Sequence, residues 1–347
     1  MRFVKKYEDR CIACLVGGAA GDALGYAVEF MTNKSIQERY GPGGIRRFEL
    51  RDGVARVSDD TQMTLFTAEG MILSKGDCIQ DYIDAIRREY LWWFITQTEN
   101  WPVGDSITQA SFLMREPELY ASRAPGTTCM GALSTGGRGS VAEPVNNSKG
   151  CGGVMRVAPI GLFLTTDVFS AEKIVQLGAE AAALTHGHPL GWLPAAALVH
   201  MIRVLSQEDA DVFEAVKDAV AMLRIVYPNV KERETLEALL AKAITLYRNG
   251  TGPARAIPQL GEGWVGDEAL AIAVYCALRY EAHFDRAIIA AVNHDGDSDS
   301  TGAITGNILG ARLGRTGIPT RFCNKLELKG LMETLGTALA ADPPTPQ

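Results

Sequence analysis

Apolar residues recur at helical spacing through most of this 347-residue chain. Between Ile79 and Gln97 they fall at Tyr82, Ile83, Ile86, Tyr90, Leu91, Phe94 and Ile95, which predicts an amphipathic helix. The same period predicts helices over Ala171–Leu184, Leu193–Leu205, Val212–Val226, Glu232–Tyr247 and Glu268–Tyr280. Ser58 is a natural N-cap for a further helix running to about Lys75, with Gly76 as its stop. Strand-like alternation is scarce, and Phe48–Val57 is the one plausible extended stretch. The expected fold is therefore all-α. No internal repeat and no linker rich in Pro and Ser divides the chain, so a single domain is expected over residues 1–340. Residues 341–347, which end in Asp342-Pro-Pro-Thr-Pro-Gln347, have little to bury and are expected to form a frayed tail.

Composition narrows the picture. A hydrophobic content of 47% is ample for one large core or two smaller ones. A net charge of −7 does not suggest a nucleic-acid partner. Seven scattered cysteines do not make a secreted disulfide scaffold, and the odd count fits reduced thiols in a cytoplasm. Cys11-Ile12-Ala13-Cys14 has redox spacing, but it lies in an apolar helical stretch, so packing is the stronger reading. Basic residues precede the apolar run Cys11–Ala20, but Glu8 and Asp9 interrupt them, and the run continues into a glycine-acid motif. No signal peptide and no membrane span are expected. Thirty-six glycines are many for a helical protein, because each costs about 1 kcal/mol against alanine in a helix interior. The clusters at Gly17-Gly18, Gly136–Gly139, Gly150–Gly153 and Gly261–Gly263 mark loops, close helix contacts or backbone brought near a ligand.

The densest chemistry is His294-Asp295-Gly296-Asp297-Ser298-Asp299-Ser300-Thr301-Gly302. Three carboxylates at alternating positions are costly unless a cation neutralises them. The oxygen donors suit Mg²⁺, Mn²⁺ or Ca²⁺ and not zinc. An EF-hand loop opening at Asp295 needs Gly at its sixth position and Glu at its twelfth, and those hold Ser300 and Gly306. That reading is set aside. A second acidic cluster, Ser58-Asp59-Asp60-Thr61, complements a helix dipole when taken alone. Beside the first it becomes the other half of a metal centre, held rigidly at a helix start.

Further along, Asp22 and Glu29 are isolated carboxylates in the apolar stretch Gly21–Phe30. Such an acid can pair a backbone amide or an arginine, and an isolated glutamate is most often solvated. Asn147-Ser148-Lys149-Gly150-Cys151-Gly152-Gly153-Val154-Met155-Arg156 is a glycine-rich loop that can offer N–H groups to an anion, but it lacks the Gly-Lys-Ser/Thr of a Walker A loop. Ser122–Thr127 is a similar loop. Thr185-His186-Gly187-His188-Pro189 reads as a helix-start turn with one functional histidine, not as a zinc site.

In order along the chain, Gly21-Asp-Ala-Leu-Gly25, Ser58-Asp-Asp-Thr61, Gly150-Cys-Gly-Gly-Val-Met-Arg156, Thr185-His186 and Gly296-Asp-Ser-Asp-Ser-Thr301 resemble the motifs of the ADP-ribosylglycohydrolase family. The resemblance spans about Tyr7 to Leu313. It implies a compact orthogonal bundle of helices with a central cleft for two Mg²⁺ ions, Mn²⁺ being a substitute. It implies Ser58, Asp59, Asp60, Asp297, Asp299 and Ser300 as metal ligands, and Glu29 as the catalytic glutamate beside them. Gly126, Asn147, Ser148, Lys149, Gly150, Cys151, Gly152, Gly153, His186, Glu262 and Trp264 are implied as ADP-ribose-binding residues. Cys151 stands where some relatives carry asparagine. The Asp297-Ser298-Asp299-Ser300 form is closer to the arginine-directed branch than to the serine-directed one.

The activity this implies is hydrolysis of ADP-ribosylated arginine in proteins. Glu29 is open to two roles, general base or gate. Two other classes remain: hydrolysis of another ADP-ribose linkage, or a non-enzymatic binder, whose mark would be lost metal ligands. The partners implied are an ADP-ribosylated protein and, behind it, an ADP-ribosylating toxin or its target. Neither nucleic acid nor membrane is expected, and the expected location is the cytoplasm.

Overall fold

A computed structural model describes residues 2–74, 76–104 and 110–341. It is helical, and among the described residues there is no sheet, only isolated bridges. The helices are α1 (Arg2–Gly25), α2 (Asn33–Tyr40), α3 (Asp59–Leu73), α4 (Ile79–Thr98), α5 (Thr127–Ser134), α6 (Ala158–Phe163), α7 (Ala171–Ala183), α8 (Pro189–Gln207), α9 (Val212–Val226), α10 (Glu232–Arg248), α11 (Pro253–Ala256), α12 (Gly266–Arg279), α13 (Phe284–Val292), α14 (Ser298–Leu313) and α15 (Lys329–Ala341). Short 3₁₀ turns join several of them. The all-α expectation holds. The final helix runs to Ala341, one residue into the expected tail, and 342–347 lie outside the described residues.

The centre is built by helices with no polar face. α8 is apolar enough over 19 residues to pass for a membrane span, yet 94% of that window is buried by protein. It packs against α7, α9, α6 and α12, so its predominantly apolar sequence reflects burial on all sides. The periodic pattern placed its start at Leu193, and the helix begins four residues earlier. His188 caps it, its Nδ1 accepting from Leu190 N at 3.0 Å, and Pro189 fills the first helical position.

α1 and α14 form the most extensive helix pair in the fold. They run antiparallel along facing glycine stripes, Gly17, Gly21 and Gly25 on α1 against Gly302, Gly306 and Gly310 on α14. A Cβ at Gly21 would strike the Gly302 carbonyl, and one at Gly306 the Gly17 carbonyl. The missing side chains let the two backbones touch. This contact sets the start of α14, with its aspartates, beside the end of α1.

Phe48–Val57 does not become a strand. Arg51 and Val54 pair around a turn with positive φ at Asp52 and Gly53, and Ala55 exchanges bonds with Lys325 and Glu327. With no partner strand to extend the ladder, β-branched residues there stay in a loop. α3 ends at Leu73 with Ser74 as C-cap, short of the expected Lys75, which lies outside the described residues.

Candidate functional site

The first turn of α3 is held by three different partners. Ser58 N donates to both Asp22 carboxylate oxygens at 3.0 and 3.1 Å, and Thr61 N and its hydroxyl donate to Asp22 Oδ2. Asp59 N donates to the Arg123 carbonyl at 3.0 Å, and Asp60 N to Ser58 Oγ at 3.2 Å. The orphan amides of the helix start are thus satisfied from outside it. Asp59 and Asp60 are left free of that duty, which removes the reading in which they only serve their own helix. Asp59 Oδ2 accepts from Gly126 N at 3.1 Å, and Asp60 Oδ2 is buried with no partner. Glu327 backs the arrangement by bonding Val57 N at 3.0 Å and pairing with Arg123 at 3.1 Å.

The second cluster divides. Asp297 caps α14, its Oδ1 accepting from Ser300 N at 3.2 Å. Asp299 Oδ1 also accepts from Ser300 N, at 3.0 Å. Asp295 points elsewhere and accepts from Asn33 N, at the first residue of α2, at 2.8 Å. The alternation seen in sequence is broken because Gly296, at φ 115°, turns the chain between them.

Asp59, Asp60, Asp297, Asp299, Ser300 and Glu29 line one cavity of about 340 Å³. Its other walls come from Phe30, the 124–129 segment, Gly150, Cys151, Gly152, Met155, His186 and Trp264. Larger open clefts exist, one of about 820 Å³ beside Ile79, Arg87 and Glu180, but no unpartnered buried carboxylate faces it. The acidic cavity is the chemically marked one.

Burial and then mutual repulsion push these carboxyl groups up. Glu29 rises to about 10, through burial first and then Asp299, Asp297 and Asp59. Asp22 rises to about 7, through burial and then Asp299. Asp59, Asp60 and Asp297 are raised well above the ordinary range by burial, with Asp299 the next contributor, and burial also raises Asp299. Glu29 Oε2 has no partner. Among the described residues, no three His, Cys, Asp or Glu side chains close around a cation as they stand. The acids share a wall, with Asp297 and Asp299 within hydrogen-bonding reach of each other.

The implied ADP-ribose residues separate into two groups. Gly126, Gly150, Cys151, Gly152, His186 and Trp264 line the cavity. Ser148 stands behind it, its hydroxyl bonded to Thr128 at 3.0 Å and to Gly150 N at 3.3 Å. Asn147 is exposed and outside the lining. Gly153 is buried, and its missing side chain makes room for the Gly191 carbonyl. Lys149 and Glu262 line a neighbouring cavity that shares Trp264, while the Glu262 carbonyl accepts from Asp297 N at 2.8 Å. Ser58 is fully buried behind the acids and does not reach the lining. Cys151 faces the acids and not an anion position, its thiol donating to Asp297 Oδ2 at 2.7 Å.

Phe30, Thr128, Met155 and the Arg156–Thr185 pair escaped the sequence reading as contributors. Phe30 carried one signal, its place next to Glu29. Phe30 and Trp264 stack across the cavity mouth, with centroids 6.0 Å apart and planes at 17°, and Phe30 is 75% exposed.

Fold and site together define an all-helical protein with an acidic cleft facing a glycine-rich loop. The chain belongs to the ADP-ribosylglycohydrolase family, whose model matches residues 4–346. An uncharacterized protein of Archaeoglobus fulgidus is 27% identical over 96% of each chain. An ADP-ribosyl-dinitrogen reductase glycohydrolase of Rhodospirillum rubrum is 26% identical over 93% of this chain and 92% of its own. A solved structure of an ADP-ribosylglycohydrolase-related protein complex superposes with a TM-score of 0.59 at 24% identity, covering 97% of this chain and 98% of its own, and shows the shared fold. Membership makes the chain a hydrolase of ADP-ribosyl groups, with ADP-ribosylated proteins as its general substrates.

Proposed function

We propose that this chain releases ADP-ribose from ADP-ribosylated arginine side chains, with divalent cations held in the acidic cavity. The observation that carries the reading is the single cavity in which Asp59, Asp60, Asp297, Asp299 and Glu29 face Gly126, Gly150 and Gly152. One wall suits a cation and the sugar it binds, and the other suits a diphosphate.

The residues fit a hard cation. The donors Asp59, Asp60, Asp297, Asp299 and Ser300 are oxygens, and the buried Asp60 Oδ2 lacks any protein partner. Two bound Mg²⁺ or Mn²⁺ ions would neutralise the crowded carboxylates, restore Glu29 to its ionised form, polarise ribose hydroxyls and acidify a water. The protein's own part is positioning. Asp22 fixes the start of α3, and the α1–α14 contact fixes the start of α14. Glu29, free at Oε2, orients a water toward C1 of the distal ribose and takes its proton. The C1–N bond breaks, the new C1–O bond forms, and the leaving guanidine is strongly basic, so an added acid gains little.

One feature favours arginine. Beside Glu29, Phe30 and Trp264 offer aromatic faces at the mouth, on which a guanidinium stacks favourably. The test is ADP-ribose release from arginine-linked and serine-linked substrates, with Mg²⁺ and with EDTA. Faster release from arginine, abolished by EDTA, is expected. Faster release from serine would overturn the acceptor, and full activity in EDTA would overturn the metal.

A further inference from the structure

Arg156, Thr185 and His186 form a buried chain of polar groups that ends at the cavity wall. Arg156 is fully buried, and among the described residues it pairs with no carboxylate. Its guanidinium lies 4.2 Å from the Tyr90 ring centroid and donates to Thr185 Oγ1 at 2.6 Å. Arginine can only donate, so Thr185 Oγ1 must accept there, and its own hydrogen is polarised toward another acceptor. The Cys129 thiol is also near, but it is a weak acceptor that already takes a bond from Arg156 at 3.3 Å. Two stronger acceptors are in reach, His186 Nδ1 at 2.8 Å and the Ala182 carbonyl at 3.4 Å. Ala182 O already accepts from Thr185 N at 3.2 Å and His186 N at 3.0 Å, which occupies both of its lone pairs. The hydroxyl therefore donates to Nδ1.

We infer that Thr185, oriented by Arg156, fixes His186 as the Nε2–H tautomer, which presents a single donor to an anionic oxygen in the cavity. Nε2 takes no partner among the described residues, and the ring lines the cavity. The ring lies flush against the glycine loop. A Cβ at Gly150 would come within 3.3 Å of Nε2, and one at Gly152 within 2.9 Å of Cε1. The ring also stays uncharged, because burial and then Arg156 push its pKa down to about 3. His186 thus extends the buried arginine's influence to the loop with no charged side chain entering the cavity. The ligand chemistry is a phosphate oxygen. Naming it the diphosphate of ADP-ribose rests on the function proposed above. Arg156 and Thr185 are then positioning residues for binding.

The test joins ¹⁵N-histidine NMR with calorimetry, using ADP-ribose and adenosine, which lacks the diphosphate, as probes. His186 is assigned among the five histidines by a His186→Asn variant. Wild type is expected to show the Nε2–H tautomer at pH 7 and no titration down to pH 5. Thr185→Val should lose that tautomer preference and bind ADP-ribose about tenfold or more weakly, the scale of one hydrogen bond to a charged group. Thr185→Ser should restore both, and adenosine binding should not change. An Nδ1–H tautomer in wild type, or Thr185→Val with wild-type spectrum and affinity, would overturn the relay. If Thr185→Val fails to fold, the wild-type and Thr185→Ser spectra still decide the tautomer. An Nε2–H tautomer with no preference for ADP-ribose over adenosine would leave the relay standing and remove the diphosphate, and with it the functional reading.

Discussion

At Glu29 the folded chain holds a carboxyl group to which its protein neighbours offer no stabilisation. One oxygen has no partner, and burial and four aspartates hold the proton on to about pH 10. Glu29→Gln resembles that protonated form in shape and charge. Without cation at pH 7 the variant should therefore melt above wild type, because folding forces wild-type Glu29 to take up a proton that its unfolded chain has released, and glutamine needs none. With Mg²⁺, if Glu29 is the base, turnover should fall by about 100-fold or more while ADP-ribose still binds. Single-turnover rates and calorimetry on one preparation check both parts, and near-normal turnover would leave Glu29 as a gate or packing residue. The sequence exposed this residue only as an isolated acid, and a family resemblance gave it a role. Asp22 looked the same in sequence, yet its four hydrogen bonds to Ser58 and Thr61 make it a support for α3. Nothing local in the chain separates the two acids.

Among the elements, the α1–α14 pair binds fold and site together. Helix propensity alone predicts that Gly302→Ala stabilises by about 1 kcal/mol. Packing predicts the opposite, because a Cβ there would strike the Gly21 carbonyl of the facing backbone. Overpacking costs roughly 1–3 kcal/mol, and backbone yields less readily than a side chain. Gly302→Ala should thus lower the urea midpoint and weaken activity by shifting Asp297 and Asp299. A raised midpoint would show that the stripe does not govern the contact. Helices with a clean amphipathic period were legible from sequence: Val212–Val226 is found as expected, and Ile79–Gln97 extends by one residue. The start of α8 was legible only through the turn at His188-Pro189, because the apolar first turn that follows it showed a period only from Leu193. The Phe48–Val57 alternation misled because a strand needs a partner, and the fold supplies one bridge to Leu326.

For the whole molecule, the acidic cavity makes stability depend on pH and cation together. Asp22 and Glu29 hold protons more tightly folded than unfolded. That contribution is complete below about pH 4, the unfolded range, and is lost as pH rises through about 7 for Asp22 and about 10 for Glu29. His186, at about 3 when folded, acts oppositely below about pH 6.5, so the carboxyl effect is cleanest above neutrality. In EDTA the melting temperature should fall between pH 7 and 9. The gain from Mg²⁺ should widen over that window, because cation and proton compete for the same oxygens. A constant gap, measured by scanning calorimetry, would argue against binding at these acids. Helical circular dichroism should persist in EDTA, since a core built around α8 owes nothing to metal. The sequence by itself determined the all-helical class, the approximate bounds of the clearly periodic helices and the two acidic clusters, because periodicity and local charge density are properties of neighbouring residues. The tertiary structure alone decided that Asp295 leaves the cluster, that Asp22 serves α3, that Lys149 and Glu262 face another cavity, and that Arg156 reaches His186 through Thr185. Each depends on contacts between residues far apart in the chain, where the packing of backbone on backbone sets the geometry.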